Sequence, residues 1–112
     1  YGCSHLASVS IPDSVTSIEP YAFYGCDNLQ TVLIPRGTER IKTRAFAECH
    51  ALQNIYIPRS IREIKSEAFA AYPPNWQTVY YEGTAEQSAE ISVSATAFTD
   101  EEWEYNWYDA WG

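Results

Sequence analysis

Apolar residues recur along this chain in two clusters per unit, each with its own spacing. The first cluster has the form Leu-x-x-φ-x-φ, where φ is apolar. It reads Leu6, Val9, Ile11; Leu29, Val32, Ile34; Leu52, Ile55, Ile57; and Trp76, Val79, Tyr81. Alternation at φ-x-φ with β-branched residues is the period of a half-buried strand. Pro12, Pro35 and Pro58 end the first three of these strands, because proline has no backbone donor for a ladder. The second cluster reads Val15, Ile18, Ala22-Phe23; Thr38, Ile41, Ala45-Phe46; and Ile61, Ile64, Ala68-Phe69. These positions are expected to point inward and fill the space behind the strand. A small and a large residue recur together where neighbouring units must interlock. A short helical or irregular turn is predicted around each Phe-x-x-Cys.

Both clusters advance by 23 residues, as do Cys3, Cys26 and Cys49. A period of this length predicts a solenoid whose coils bury their apolar sides against one another. The fourth strand copy comes one residue late, with Tyr72-Pro73-Pro74-Asn75 as the expected insertion. Val93, Ala97 and Phe98 repeat the spacing of Ile18, Ala22 and Phe23, delayed by the stretch Glu82 to Glu90. The predicted organisation is a solenoid over residues 1–98, with coils at about 1–25, 26–48, 49–74 and 75–98, and an acidic, Trp-rich C-terminal cap over 99–112. Trp103, Trp107 and Trp111 are four apart, which would place them on one face of a helix. Thr99 or Asp100 is the expected helix cap, with Asp100, Glu101 and Glu102 at the positive end of the dipole. Tyr1-Gly2-Cys3 matches Tyr24-Gly25-Cys26, so the chain is expected to begin part-way through a coil of a longer array. Leu6, Val9 and Ile11 would then offer an open edge for self-association with a second copy.

Charge narrows the partners. Residues 1–81 hold seven acids and seven bases, whereas residues 82–112 hold eight acids and no base, so the net charge of −8 resides in the tail. Nucleic acids and anionic membranes require clustered Lys and Arg and are not expected partners. No apolar run reaches the roughly 20 residues needed to insert in a membrane.

The order Leu6-x-x-Val9-x-Ile11-Pro12-x-x-Val15-x-x-Ile18-x-x-x-Ala22-Phe23-x-x-Cys26 resembles the BspA-type leucine-rich repeat, and the next two copies match nearly as well. The resemblance is strong over about residues 1–81 and weak over 82–98. It implies a β-rich α/β solenoid, a right-handed leucine-rich-repeat superhelix of about four coils, which the helix expected in the tail would close as a C-terminal helical cap. It also implies a secreted or cell-surface protein, typically bacterial, engaged in adhesion or binding to proteins or glycans. It brings no catalytic residue and no cofactor.

In such an architecture Ser10, Leu33, Tyr56 and Tyr80 stand side by side on the concave sheet, flanked by polar rows that include Gln53 and Asn54. An exposed Leu-Tyr-Tyr stripe marks a docking surface, although cross-strand stacking would also serve stability alone. The expected ligand-binding residues are therefore Leu33, Tyr56, Tyr80, Gln53 and Asn54. The expected partner is a host or neighbouring-cell surface or matrix protein. The alternatives are a glycan held on Trp103, Trp107 and Trp111, and a structural spacer without a ligand. The evenly spaced cysteines read as buried free thiols. No His or Cys pair has metal-ligand spacing, and the tail acids lack a calcium-loop pattern. His5 and His50 are the only histidines, and no catalytic motif accompanies them. Charged residues 23 apart should pair between coils: Asp13 with Arg36, Glu19 with Lys42, Glu39 with Arg62, Arg40 with Glu63, and Arg44 with Glu67.

Overall fold

The structure, a computed structural model, describes residues 8–9, 11–71, 76–98 and 100–107. Each coil contributes one strand to each of two parallel sheets. The larger sheet runs in the order β1 (Ser8–Val9), β3 (Thr31–Leu33), β5 (Asn54–Ile57), β7 (Trp76–Tyr81), β9 (Asp100–Glu104). The smaller runs β2 (Ser17–Ile18), β4 (Arg40–Ile41), β6 (Glu63–Ile64), β8 (Ser92–Val93). The second cluster of the repeat is thus itself a strand. It is only two residues long, too short for alternation to reveal it. Register follows the repeat, with Ile18 beside Ile41, and Val32 beside Ile55 beside Val79.

Between the sheets lies one apolar core. Val32, Ile34, Ile55, Ile57, Val79 and Tyr81 enter it from the larger sheet, and Ile18, Ile41 and Ile64 from the smaller. The Phe residues of the Ala-Phe pairs form a continuous stack. Phe23, Phe46, Phe69 and Phe98 lie 4.9, 5.1 and 5.0 Å apart between successive ring centres, within 7° of parallel. Backbone bonds from each Phe amide of the first three to the following coil's Ala carbonyl, all 2.7 Å, set this spacing. The return turns are irregular rather than helical. They repeat a left-handed backbone at Tyr21, Arg44 and Glu67, and again at Gly25 and Glu48.

The chain leaves the 23-residue step between β6 and β8. The added length forms α1 (Ala85–Ser88), whose Thr84 and Gln87 make a reciprocal capping box. Gly83 precedes it in a tight place: a Cβ there would lie 2.8 Å from the Tyr81 ring.

Three expectations require correction. The tail is not a helical cap: Asp100–Glu104 is a strand, β9, that extends the larger sheet. A spacing of four is even, so it suits a strand as well as a helix. Here Trp103 takes the inward place of Val79, and the edge of β7 gains the backbone partners that a helix would not supply. Trp103 and Trp107 therefore do not share a helix face, and Trp111 lies outside the described residues. The second correction is Trp76, which occupies the Leu position of the fourth copy but is 58% exposed. Because β7 is a regular strand from its first residue, alternation sends Gln77 inward instead, where its side-chain amide donates to the Phe69 carbonyl at 2.8 Å.

The third concerns the cysteines. Cys26 is disulfide-bonded rather than free, while Cys49 is a buried free thiol as expected, and Cys3 lies outside the described residues. Burial pushes the Cys49 thiol up to about 11 from 9.0. The folded state then holds its proton more tightly than the unfolded state. The contribution is complete below pH 9 and disappears as pH rises through about 11, amounting to about 2–3 kcal/mol in all. Urea unfolding should lose about 1 kcal/mol between pH 8 and pH 10 from this source. Cys49→Ala should lack that part of the alkaline slope, and an unchanged slope would refute the assignment.

Candidate functional site

The outward face of the larger sheet carries the residues expected to bind. Leu33, Tyr56 and Tyr80 occupy one row across β3, β5 and β7. Parallel pairing with a two-residue side-chain period keeps them on the same face. The Tyr56 and Tyr80 rings stack at 4.5 Å and 15°. All three side chains are half-buried by their neighbours. Packing against the sheet pushes the Tyr56 phenol upward, and neighbouring Tyr80 adds to the shift. Asn54 lies in the adjacent row between Thr31 and Thr78, its side chain donating to the Thr31 hydroxyl at 3.4 Å. Gln53 is exposed just before β5, its backbone bonded to the Gln30 carbonyl and to the Thr78 amide. Ser10 lies outside the described residues.

The structure adds aromatic residues to this face that the repeat pattern does not place there. Trp76 and Thr78 share the outward side of β7 with Tyr80. Beyond β9, Asn106 takes a left-handed backbone (φ 64°), which interrupts the alternation. The Asn106 amide bonds the Gly83 carbonyl at 2.8 Å and the Trp107 amide bonds the Tyr81 carbonyl at 3.1 Å. Trp107 is thereby held edge-on to Tyr80, with ring centres 5.0 Å apart. Trp103, in contrast, turns inward against Phe98 and Tyr81. The expected tail platform is therefore split: Trp103 belongs to the core, and Trp107 to the stripe. The signal for this was the alternation Trp103-Glu104-Tyr105, the same φ-x-φ that marks the other strands.

Electrostatics separate the two sides of the molecule. The strands of the larger sheet contain no Lys or Arg, and its edge strand contributes Glu102 and Glu104 beside Thr78 and Tyr80. Arg36 borders the larger sheet beside Thr31 and Leu33, and the other bases lie on the smaller sheet and its flanking turns. There four expected coil-to-coil pairs form: Glu19–Lys42, Arg40–Glu63, Arg44–Glu67 and Glu39–Arg62, at 3.4, 3.4, 2.7 and 3.8 Å. Exposed pairs of this kind contribute roughly 0–1 kcal/mol each and act mainly on register. Arg36, expected opposite Asp13, reaches Glu82 at 2.8 Å. Glu82 takes the place of the repeat proline, is buried, and also accepts a bond from the Arg59 amide. His50 bridges two coils through contacts to Asp27 and Glu48. Among the described residues no group of His, Cys, Asp and Glu is arranged to hold a metal ion, and no helix is long and apolar enough to cross a membrane.

No curated protein matches the chain. Among solved structures, the chain is similar to the crystal structure of a leucine rich cell surface protein from Faecalibacterium prausnitzii, with a TM-score of 0.63 and 29% identity. That alignment covers 76% of this chain and 22% of the other, so the chain corresponds to a small part of that protein. A model of the BspA type leucine rich repeat region matches residues 1–100 in six copies. With the parallel coils, the Phe stack and the 23-residue register in agreement, the chain belongs to the BspA-type leucine-rich repeat family.

Proposed function

We propose that this chain is a non-enzymatic protein-binding segment, of the adhesion type, from a secreted or cell-surface leucine-rich-repeat protein. Its docking face is the outward side of the larger sheet, read as the concave side of the solenoid, and its partner is a surface or matrix protein of a host or neighbouring cell. One observation carries the reading. Leu33, Tyr56 and Tyr80 form a continuous row across three adjoining strands of one face, with Trp107 packed against Tyr80 at its end. The two tyrosine rings are already stacked against each other. Little side-chain entropy remains to be lost when a partner covers them, and such pre-ordered aromatic anchors dominate protein interfaces.

The test is a binding screen against immobilised extracellular-matrix proteins and a glycan array, with the Leu33→Ala/Tyr56→Ala/Tyr80→Ala variant run in parallel. A matrix-protein hit should weaken by about 30-fold or more in the variant, as expected when anchors worth about 2 kcal/mol are removed. Circular dichroism of the variant must match the parent, since the three side chains point away from the core. A glycan hit that depends on Trp107 instead would move the function to carbohydrate recognition. Silence on both arrays would favour the spacer reading.

A further inference from the structure

We propose that the ligand of this face is a cationic, extended protein segment, one presenting Arg or Lys side chains at alternate positions; the inference rests on the docking reading above. Two features of the same surface converge on that chemistry. Aromatic rings gather there: the half-buried Tyr56 and Tyr80 stack, Trp107 (41% exposed) makes a T-shaped contact with Tyr80, and Trp76 (58% exposed) lies four residues back along β7, about 13 Å away. The face of an aromatic ring attracts a guanidinium or ammonium group, most strongly when the ring is Trp. Beside the rings stand Glu102 and Glu104, both exposed and in register with Thr78 and Tyr80. Neither is in an ion pair among the described residues. The adjoining strands supply no base to neutralise them.

Charge complementarity therefore selects the occupant. Each acid alone would be an ordinary device against sheet-edge pairing. Set next to a ring cluster, the two carboxylates offer a guanidinium its two favoured contacts together, a flat π-face below and a bidentate acceptor at the side. An acidic or phosphorylated segment would meet repulsion from the same groups. Glu102 and Glu104 are two residues apart on one side of β9, about 7 Å along the strand. That step matches the distance between alternate side chains of an extended partner. A folded basic loop and a free peptide share this chemistry, and the spacing favours the extended form.

The experiment uses the whole chain and three fluorescent peptides of equal length: alternating Arg-Ser, alternating Glu-Ser, and Ser-Gly. Binding is followed by anisotropy at rising NaCl. The Arg-Ser peptide should bind, and the other two should not. Glu102→Gln/Glu104→Gln should weaken it about tenfold, from two charge contacts of ordinary surface strength. Glu86→Gln/Glu90→Gln, which removes the same charge away from this face, should leave it within about twofold. Equal weakening by both pairs would mean attraction to net charge alone and would overturn the proposal. So would binding of the Glu-Ser peptide or failure of the Arg-Ser peptide to bind. A matrix-protein hit lost with the Leu33/Tyr56/Tyr80 variant but unaffected by Glu102→Gln/Glu104→Gln would leave the docking face standing and remove the cationic ligand. These exposed Gln variants are not expected to affect folding, and a matching thermal melt checks this.

Discussion

Phe69→Ala is expected to destabilise the chain by about 3–5 kcal/mol, a large share of the 5–15 kcal/mol available to a domain of this size. Phe69 is fully enclosed and stacks on Phe46 at 5.1 Å and on Phe98 at 5.0 Å. Its removal leaves a cavity bounded by two rings. Neither ring can readily collapse into it, because the turns that carry them are tied coil to coil by backbone bonds such as Phe46 amide to Ala68 carbonyl and Phe69 amide to Ala97 carbonyl. A solenoid is stabilised by nearest-neighbour interfaces, so the loss weakens two interfaces at once. The coils on either side of Phe69 should then separate into two unfolding transitions or fail to fold together. Urea unfolding followed by far-ultraviolet circular dichroism measures this. Phe69→Leu retains most of the volume and should cost no more than about 1.5 kcal/mol. A cost for Phe69→Ala below about 1 kcal/mol would contradict the stack as the principal contact between coils.

The Phe stack, the register of the larger sheet and the coil-to-coil ion pairs are all legible in the sequence, for one physical reason. Parallel coils in fixed register impose the same requirement at the same step, so each inward position and each charged neighbour is copied 23 residues later. Reading fails where the copying stops. The strands of the smaller sheet are too short to show a period. Trp76 keeps the Leu place in the alignment but not in space. The earlier Leu29 and Leu52 turn inward ahead of their strands, whereas β7 is already a regular strand at Trp76. Glu82 replaces proline and becomes a buried acceptor for Arg36 and the Arg59 amide, a pairing two coils long that no single repeat step encodes. The candidate docking row was readable as Leu33, Tyr56 and Tyr80. The contribution of Trp107 was not, because it depends on one left-handed residue, Asn106, that reverses the side of the sheet it faces.

Trp103 and Trp107 should respond very differently to substitution, and this difference separates a strand from a helix in the tail. Trp103 lies inward on β9, against Phe98, Tyr81 and Tyr105 at 5.9, 6.1 and 6.3 Å. It closes the last coil and holds β9 against β7. Trp103→Ala should cost about 2–4 kcal/mol, somewhat less than a fully enclosed Trp because its ring is half-buried. The loss should be local at first. Amides of 100–104 should exchange faster by two to three orders of magnitude, on the order of 10²–10³-fold, and the outer edge of β7 should follow. Trp107 is 41% exposed; its ring meets Tyr80 in a T-shaped contact, and its remaining tie to β7 is the backbone bond from its amide to the Tyr81 carbonyl, which alanine would keep. Trp107→Ala should therefore change stability by about 1 kcal/mol or less and leave the exchange of 100–104 unaltered. On a helix the two residues would share one buried face and their substitutions would cost similar amounts. Equal losses would thus argue for the helix. The expected inequality follows from strand alternation at Trp103 and its reversal at Asn106. The same reversal places Trp107 on the proposed docking face while Trp103 supports the fold, so Trp107→Ala can probe that proposal without disturbing β9.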